Sequence, residues 1–326
     1  MILTLNVGSS SLKYALYDEN LKSLEAGEVD SIDTLLQKME KPYVVGHRIV
    51  HGGSEFIKPT RITDTVLKKL EMLIPFSPLH LPRELEIVKK VQELELPQVA
   101  CFDTSFHRAM PTMHQHFPLP AFLWKEGVKR YGFHGLSYEY ILHHLGEKAE
   151  EKKIIVAHLG SGCSMTSIDN KKPIDTTMGF TPAGGIMMAT RSGDLDPGVL
   201  SYLMREKGYG PTQIDALVNE QSGLLGVSEK TGDMKELLKD AKSDRSSALS
   251  IHLFCYLARK SIGSLTASLG GLDHLIFTGG IGEKSKEIRE EICKGLDYLD
   301  IKNKVEVIPT NENWMIALHT KNLLGL

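Results

Sequence analysis

The sequence has little cysteine, little net charge and no long apolar run. Its four cysteines, Cys101, Cys163, Cys255 and Cys293, lie far apart, without the Cys-x-x-Cys spacing of a zinc or redox site. The formal net charge of -3 excludes a general electrostatic attraction to nucleic acid or anionic lipid. No apolar stretch approaches the roughly 20 residues that span a membrane, and the opening MILTLNVGSS lacks the basic region of a signal peptide. We therefore expect a soluble, cytoplasmic protein that binds neither nucleic acid nor membrane.

Familiar nucleotide-binding and hydrolase motifs are also missing from the sequence. A Gly-x-x-x-x-Gly-Lys-Ser/Thr segment is absent, which excludes a P-loop enzyme. The protein-kinase motif set and the Gly-x-Ser-x-Gly nucleophile turn are absent as well. What the chain has is size: 326 residues, of which 41% are hydrophobic and 24% charged. That length permits a sizeable core and makes two domains the default expectation.

Two similar hairpins are predicted in distant parts of the chain. Strands over 2–6 and 12–17 flank a turn of small residues at 8–11. The segment 152–169 repeats this plan around a second turn at 160–164. Either the likeness is coincidental, or the chain holds two related domains that each open with a hairpin.

The remaining pattern alternates strands with helices. Further strands are predicted near 44–45, 99–102, 274–277 and 305–308. Helices are predicted over 63–73, 82–94, 194–206, 211–220, 233–239, 243–269 and 312–322. Interleaved strands and helices favour an α/β fold.

The first turn has the composition of an anion-binding loop. Small residues at 8–11 let backbone N–H groups approach an anion, and their hydroxyl groups can donate to it. Lys13 supplies positive charge next to the turn. The alternative is an ordinary hairpin turn, and composition alone leaves both interpretations open.

Arginine, aspartate and histidine side chains stand where predicted strands end. Arg48 lies among glycines with His47 and His51, and its planar fork suits a carboxylate or a phosphate. Asp103 directly follows another strand, where α/β folds place functional carboxylates. His134 lies between glycines, which leave little to bury it. The alternatives are a surface arginine and structural histidines.

Two further segments are rich in glycine. The run 175–197 is mostly irregular and costly to order without a purpose, and it contains Arg191 as a second candidate anion clamp. The segment 278–282, Thr-Gly-Gly-Ile-Gly, follows an apolar strand, so its backbone can lie against a flat ligand such as adenosine. As a bare Gly-Gly-x-Gly pattern it is a weak signal.

Taken in order, seven segments resemble the acetate kinase family, which comprises acetate and propionate kinases. They are NVGSSSLKY, GHRIVHGG, FDTSFH, YGFHG, MGFTP, TRSGDLDP and IPTNE. The resemblance covers nearly the whole chain. It implies two related α/β domains with the actin-like ATPase (ribonuclease H-like) fold and an active-site cleft between the domains. The implied acid and phosphate side is 1–106 plus 314–326, and the implied nucleotide-binding domain is 107–313.

The resemblance also implies roles for individual residues. The implied catalytic residues, which clamp the γ-phosphoryl group and the acid or serve the metal, are Arg48, Asp103, His134 and Arg191. The implied substrate-binding residues, mostly a small apolar pocket, are Arg48, Val50, Leu79, Phe133 and Pro182. The implied nucleotide-binding residues are Asn6, Ser9, Ser11, Lys13, His158, Gly160, Ser161, Gly162, Asp233, Met234, Lys235, Gly280, Ile281 and Gly282.

A metal ion and a homodimer belong to the same set of expectations. Mg²⁺ is the implied ion, with Mn²⁺ as an alternative, and Asn6 and Glu312 would hold it beside Asp103. ATP or ADP would be the co-substrate and acetate the acid.

The chain departs from the family pattern at a few positions. Asn is usual where this sequence has Leu81 and Ser161, Phe-Arg where it has Met234-Lys235, and Asn and Glu where it has Lys284 and Asn313. We expect the changes in the nucleotide segments to affect nucleotide preference more than the reaction. Leu81 could instead alter the acid pocket.

The implied reaction is the reversible conversion of acetate and ATP to acetyl phosphate and ADP. A carboxylic acid with a pKa near 4 is ionised at pH 7, so a general base is unnecessary. We therefore expect Asp103 to be tied to the metal or to an arginine. One alternative is a kinase for propionate or another short-chain carboxylate. The other is a nucleotide-binding actin-fold protein without transfer activity.

Overall fold

The computed structural model of the chain describes residues 1–8, 12–38 and 42–326. The chain forms two compact units. Unit 1 comprises Met1–Arg108, Leu119–Leu145 and Thr310–Leu326, and unit 2 comprises Ala109–Pro118 and Gly146–Pro309.

The strands and helices of the described residues alternate along the chain. The strands are β1 (Ile2–Val7), β2 (Leu12–Tyr17), β3 (Ser23–Val29), β4 (Val44–Ile49), β5 (Thr60–Arg61), β6 (Gln98–Phe102), β7 (Lys153–Leu159), β8 (Cys163–Asp169), β9 (Lys172–Thr176), β10 (His274–Thr278) and β11 (Val305–Val307). The helices are α1 (Ile32–Lys38), α2 (Asp64–Glu71), α3 (Leu81–Gln92), α4 (Thr112–Gln115), α5 (Ala121–Lys125), α6 (Gly135–Leu145), α7 (Pro197–Lys207), α8 (Pro211–Glu220), α9 (Gly223–Ser228), α10 (Met234–Asp240), α11 (Arg245–Leu269), α12 (Gly279–Lys284), α13 (Lys286–Cys293) and α14 (Glu312–Leu324).

The described residues of unit 1 build a mixed sheet with the strand order β3-β2-β1-β4-β6-β5. Strand β1 runs antiparallel to β2, with Asn6 opposite Lys13, and parallel to β4. Every residue of β1 is buried, which fits a central strand covered on both faces. The first hairpin is thus confirmed, and it places Asn6 at the end of a buried strand.

Helix α14 closes one face of this sheet through an unusually close approach to β4. A Cβ atom added at Gly46 would lie 2.3 Å from Thr320 Oγ1 and 2.7 Å from Ile316 Cγ2. Because only glycine tolerates such an approach, the last helix can pack directly on the strand that leads to Arg48.

The described residues of unit 2 build a second mixed sheet with the order β11-β10-β7-β8-β9. Strand β7 runs antiparallel to β8 and parallel to β10, so the second hairpin is also confirmed. The order β6-β4-β1-β2-β3 in unit 1 matches β11-β10-β7-β8-β9 in unit 2, strand for strand. The likeness of the two hairpins therefore extends to the topology of both units.

Several predicted elements differ from those observed. The helix predicted from residue 194 begins at Pro197, because proline is favoured in the first helical turn and disfavours helical backbone in the residue before it. The glycine-rich segment 278–282, for which no helix was predicted, contains the start of α12 at Gly279. Strand β3 was missed because its residues are mostly exposed and lack an apolar alternation. None of the helices within the described residues is long and apolar enough to cross a membrane.

Candidate active site

Arg48, the last residue but one of β4, is tied to Asp103 in unit 1. Its Nη2 donates to Asp103 Oδ2 at 2.6 Å, and its Nε donates to both carboxylate oxygens at 3.1 Å. The side chain of Asp103 is fully buried, and that of Arg48 is 13% exposed. Parallel strands β4 and β6 end side by side, with Ile49 opposite Phe102, and this register brings the two residues together. Asp103 is thus tied to an arginine, one of the two arrangements expected from the sequence.

Asn6 and Glu312 extend this pair into a network. Arg48 Nη1 donates to Asn6 Oδ1 at 3.2 Å, and Asn6 Nδ2 donates to Glu312 Oε2 at 2.7 Å. Asn6 lies near the end of β1, and Glu312 is the first residue of α14. A guanidinium group carries five N–H groups, so Arg48 retains donors for an anionic ligand.

The charges of the network hold Arg48 in its cationic form. Burial lowers the pKa of Arg48, but the negative charges of Asp103 and Glu312 outweigh this effect and raise it overall. Burial raises the pKa of Asp103, and the charge and hydrogen bonds of Arg48 oppose that rise. Arg48 is therefore a permanent cation beside carboxylates, which suits it to orient an anion.

His134 is held in a strained turn next to Asp103. Its φ of 58° is left-handed, a conformation that few residues other than glycine adopt. Gly135 N donates to Asp103 O at 3.1 Å, and the backbone of His134 also hydrogen-bonds Asp103. His134 is only 8% exposed, so the expectation that nearby glycines would leave it uncovered is wrong.

The predicted apolar wall residues of unit 1 differ in exposure. Val50 and Phe133 are buried, whereas Leu79 is 42% exposed. Val50 follows β4 two residues after Arg48, and Phe133 directly precedes His134. The chain thus places an apolar side chain close in sequence to each of the two polar candidates.

Unit 2 contains the second predicted phosphate turn, between β7 and β8. Gly160 N donates to Gly162 O at 3.0 Å and closes the turn. A Cβ atom added at Gly160 would lie 3.8 Å from His158 Nε2 and 3.9 Å from Gly280 N. The turn, His158 and the start of α12 are therefore neighbours, as a shared nucleotide site requires.

A cavity of about 770 Å³ opens beside this turn within unit 2. Residues of the turn, of α10 and of α12 line it, and they include Gly160, Ser161, Asp233, Met234, Lys235, Gly280, Ile281 and Lys284. Asp233 caps α10 by accepting from Lys235 N at 2.7 Å. The Gly282 carbonyl accepts from Arg289 at 2.8 Å. The volume lies within the range of about 300–1,000 Å³ that is usual for small-molecule and cofactor sites.

Arg191 lies on the irregular run of unit 2, which backbone bonds hold in place. Its Nη1 donates to Pro182 O at 3.3 Å, which joins two predicted site residues. Ala189 N donates to Ser161 O at 3.1 Å, so the same run also contacts the phosphate turn. A Cβ atom at Gly223 would lie 2.2 Å from Met188 O, and this close packing fixes the backbone around Arg191.

The structure thus groups the predicted residues into two sets. In unit 1 it joins Asn6, Arg48, Asp103, His134 and Glu312 by hydrogen bonds. In unit 2, seven of the ten predicted nucleotide residues of that unit line one cavity, and His158, Gly162 and Gly282 are not among its lining residues. Lys13 is exposed on β2, and Ser9 and Ser11 lie outside the described residues.

Two residues that contact this site, Glu84 and His107, escaped sequence reasoning. Both are buried and polar, and each hydrogen-bonds the backbone of a predicted wall residue. A signal for Glu84 was present, because it shares the helical face of Leu81, Leu85 and Val88. His107 gave no such signal, since its short 3-10 turn has no periodicity.

The donor types of unit 1 fit a hard divalent cation. Glu312 and Asn6 carry oxygen atoms of the kind that Mg²⁺ prefers. Asn6 Oδ1 accepts from Arg48 and Asn6 Nδ2 donates to Glu312, so the amide would have to turn to offer its oxygen to an ion beside Glu312. No group of three or more His, Cys, Asp or Glu side chains in the described part of the chain could hold a metal ion alone. A magnesium ion commonly takes one or two carboxylates and completes its shell with water and substrate phosphates, which agrees with this sparse set.

The two mixed sheets share the same order over five strands. One lies beside a buried arginine–carboxylate network and the other beside a nucleotide-sized cavity. This combination defines a phosphotransferase of the actin-like ATPase fold. The Acetokinase family model matches residues 28–313. The chain belongs to this family.

Comparisons with individual proteins agree with this assignment. The acetate kinase of Caldanaerobacter subterraneus subsp. tengcongensis is 37% identical over 395 aligned residues, covering 99% of this chain and 98% of that protein. A propionate kinase from Francisella tularensis superposes with a TM-score of 0.92 at 36% identity, covering 98% of this chain and 99% of that one. Porphyromonas gingivalis acetate kinase gives a TM-score of 0.88 at 33% identity, with 99% of each chain covered.

Proposed function

We propose that the protein is an acetate kinase, which transfers the γ-phosphoryl group of ATP to acetate and releases acetyl phosphate and ADP, reversibly. The observation that carries the proposal is the buried network in which Asp103 and Asn6 hold the guanidinium of Arg48. A pure nucleotide-binding module has no use for a preorganised anion clamp of this kind. Membership of the Acetokinase family supports the same conclusion.

The residues of unit 1 are proposed to bind and orient the acid. Arg48 and His134 would contact the carboxylate and the transferred group, and Val50, Leu79 and Phe133 would enclose the methyl group. Asp103 keeps the guanidinium fixed and is not required as a base, because the acid is already ionised at pH 7. Fixed donors of this kind stabilise charge in the transition state without reorganisation.

The residues of unit 2 are proposed to bind ATP. The turn Gly160–Gly162 and His158 would hold the phosphates, and the cavity beside Met234 and Ile281 would hold the nucleoside. Arg191, fixed against Pro182, would supply a second cation to the γ-phosphoryl group. The cavity favours a nucleotide over a small inorganic phosphate donor, since its volume exceeds what phosphate groups alone need.

The proposed step is a direct in-line displacement. An acetate oxygen forms a bond to the γ-phosphorus while the bond from phosphorus to the β,γ-bridging oxygen breaks, and ADP leaves with that electron pair. No proton needs to move. The proposed Mg²⁺, held by Asn6 and Glu312, would neutralise phosphate charge when bound.

The homodimer and the cytoplasmic location remain predictions from the family.

The reaction can be tested by trapping its product. Purified protein is incubated with Mg-ATP, hydroxylamine, and acetate, propionate or butyrate in turn, and hydroxamate formation is followed. We expect the strongest signal with acetate. A stronger signal with propionate would favour the alternative, a propionate kinase. The similar structure from Francisella tularensis is described as a propionate kinase. No hydroxamate with any acid, despite demonstrated ATP binding, would contradict the proposal.

A further inference from the structure

The backbone of Val50 is held by a side chain from another element. Val50 directly follows β4 and is 2% exposed. Its N–H donates to Oε2 of Glu84, on α3, at 3.0 Å. A buried N–H without an acceptor costs about 1–3 kcal/mol. The hydrogen bond to Glu84 therefore helps to fix the backbone position of Val50.

Glu84 is a buried acid whose second oxygen is unused. It is 2% exposed, and Oε1 has no hydrogen-bond partner among the described residues. Burial raises its pKa to about 8, although the nearby charge of Arg48 lowers it. Glu84 is therefore neutral at pH 7, and its carboxyl group acts as a plain hydrogen-bond acceptor for Val50. The ionisable groups that interact with it are Arg48 and Asp103.

The backbone of Phe133 is held in the same way. Its carbonyl accepts from Nε2 of His107 at 2.9 Å, and His107 is 1% exposed. Burial lowers the pKa of His107 to about 4, so the ring is neutral at pH 7 with its proton on Nε2. A Cβ atom at Gly132 would lie 2.4 Å from this ring, which shows how closely the turn packs on it.

We propose that Glu84 and His107 are positioning residues, which fix the backbones of Val50 and Phe133 and thereby set the length of acid that the site accepts. The inference rests on the proposed function, in which Val50 and Phe133 enclose the apolar end of the acid. Neither Glu84 nor His107 needs to touch the substrate. One methylene in such a pocket is discriminated by roughly 10-fold to 200-fold, and this depends on walls that do not shift.

The test compares two nearly isosteric variants of Glu84. Glu84→Gln retains a neutral acceptor for Val50 N–H, whereas Glu84→Met fills the same space without one. The readout is the ratio of kcat/KM for acetate to kcat/KM for propionate, with Mg-ATP saturating. We expect the Gln variant to keep the wild-type ratio and the Met variant to lower it by about tenfold.

His107 provides an independent second pair. His107→Gln retains an N–H donor for Phe133 O, and His107→Leu removes it. We expect the ratio to fall for Leu and to be at least partly restored for Gln. A purely structural role would lower the melting temperature and both kcat/KM values together, and would leave their ratio unchanged. If one Met or Leu variant fails to fold, the other pair still decides the proposal.

Amide hydrogen exchange separates the possible failures. We expect the Val50 amide to exchange faster in Glu84→Met than in Glu84→Gln. Unchanged exchange, or an unchanged acid ratio in both folded loss variants, would overturn the positioning role and leave the acetate kinase proposal intact. A wild-type protein inactive with every acid would instead overturn the proposed function, and this inference with it.

Discussion

At the scale of single residues, the site depends on polar groups buried in pairs. Arg48 and Asp103 satisfy each other, and removing either partner would leave the other buried without its counter-charge. The sequence indicated both residues, because each stands near the end of a predicted apolar strand, and Asp103 was expected on the metal or on an arginine. It did not single out Arg48 as that arginine, because the register of β4 against β6 brings the two together.

Replacement of Arg48 tests the planar fork. Arg48→Lys keeps the positive charge but cannot bridge Asp103 and Asn6 with three separate nitrogens, as the guanidinium does. We expect turnover to fall on the order of 10²–10³-fold, by analogy with the loss of a single oxyanion-site donor. Hydroxamate formation under saturating substrates measures it. Arg61→Lys, an exposed arginine of β5, is the matched control, and near-wild-type turnover of Arg48→Lys would refute its role.

Glu84 is expected to make the free energy of unfolding depend on pH. Its folded-state pKa of about 8 lies above the ordinary 4.5, so the folded protein holds this proton more tightly than the unfolded chain. Its contribution to stability is thus fully present below about pH 4.5 and is lost as pH rises through about 8, by at most about 1.4 kcal/mol per pH unit. We expect Glu84→Gln to gain stability relative to wild type between these limits.

Urea unfolding of both proteins at a series of pH values measures this effect. The difference between their free energies of unfolding should change across pH 4.5 to 8 and level off above. A constant difference over the whole series would show that Glu84 has no raised pKa. The comparison also reports the protonation state of Glu84, whose Oε2 can accept from Val50 N–H in either state.

At the scale of elements, tertiary packing has more influence than local propensity on where helices form. Both hairpins were predictable because small-residue turns separate apolar runs in each. The start of α7 was predicted at residue 194, because the helical pattern of the sequence continues on the N-terminal side of Asp196. The helix instead begins at Pro197, with Asp196 as its N-cap. Helix α6, which begins directly after His134, was missed, since Gly135 and Ser137 are weak helix formers and tertiary packing buries them.

The contact between α14 and β4 gives a prediction at this scale. In Gly46→Ala the new methyl group would overlap Thr320 and Ile316, so we expect a loss of about 1–3 kcal/mol in stability. Thr320→Ala in the same chain should recover part of it by removing the overlapping hydroxyl. Gly210→Ala, where the nearest atom would be 3.8 Å away, is the control. Equal melting temperatures for Gly46→Ala and wild type would contradict the packing argument.

At the scale of the whole molecule, the repeated strand order is the main organising feature. The sequence hinted at it only through the two hairpin turns, because the matching strands share little residue identity. Each unit carries its own set of candidate residues. This arrangement could be expected from the resemblance to a known family, but composition and periodicity alone would have stopped at an α/β fold.

Nucleotide binding to unit 2 should stabilise the whole chain. A ligand at 100 times its Kd adds about 2.7 kcal/mol, so Mg-ATP should raise the melting temperature by several degrees. Gly280→Val projects into the cavity, since a Cβ atom there meets nothing within 4 Å. We therefore expect it to leave the nucleotide-free melting temperature nearly unchanged and to abolish the shift, with Gly280→Ala intermediate. A full shift in the Val variant would place the nucleotide elsewhere.

The discontinuous make-up of unit 1 has a consequence for biosynthesis. Its central strands emerge early from the ribosome, but α14, which packs on β4 and supplies Glu312, is made last. Domains generally fold as they emerge, yet this one must wait for its final helix while the continuous stretch of unit 2 can fold first. A nascent chain therefore cannot complete the proposed acid site before synthesis is nearly finished, so incomplete products would lack the arrangement proposed for phosphoryl transfer from ATP.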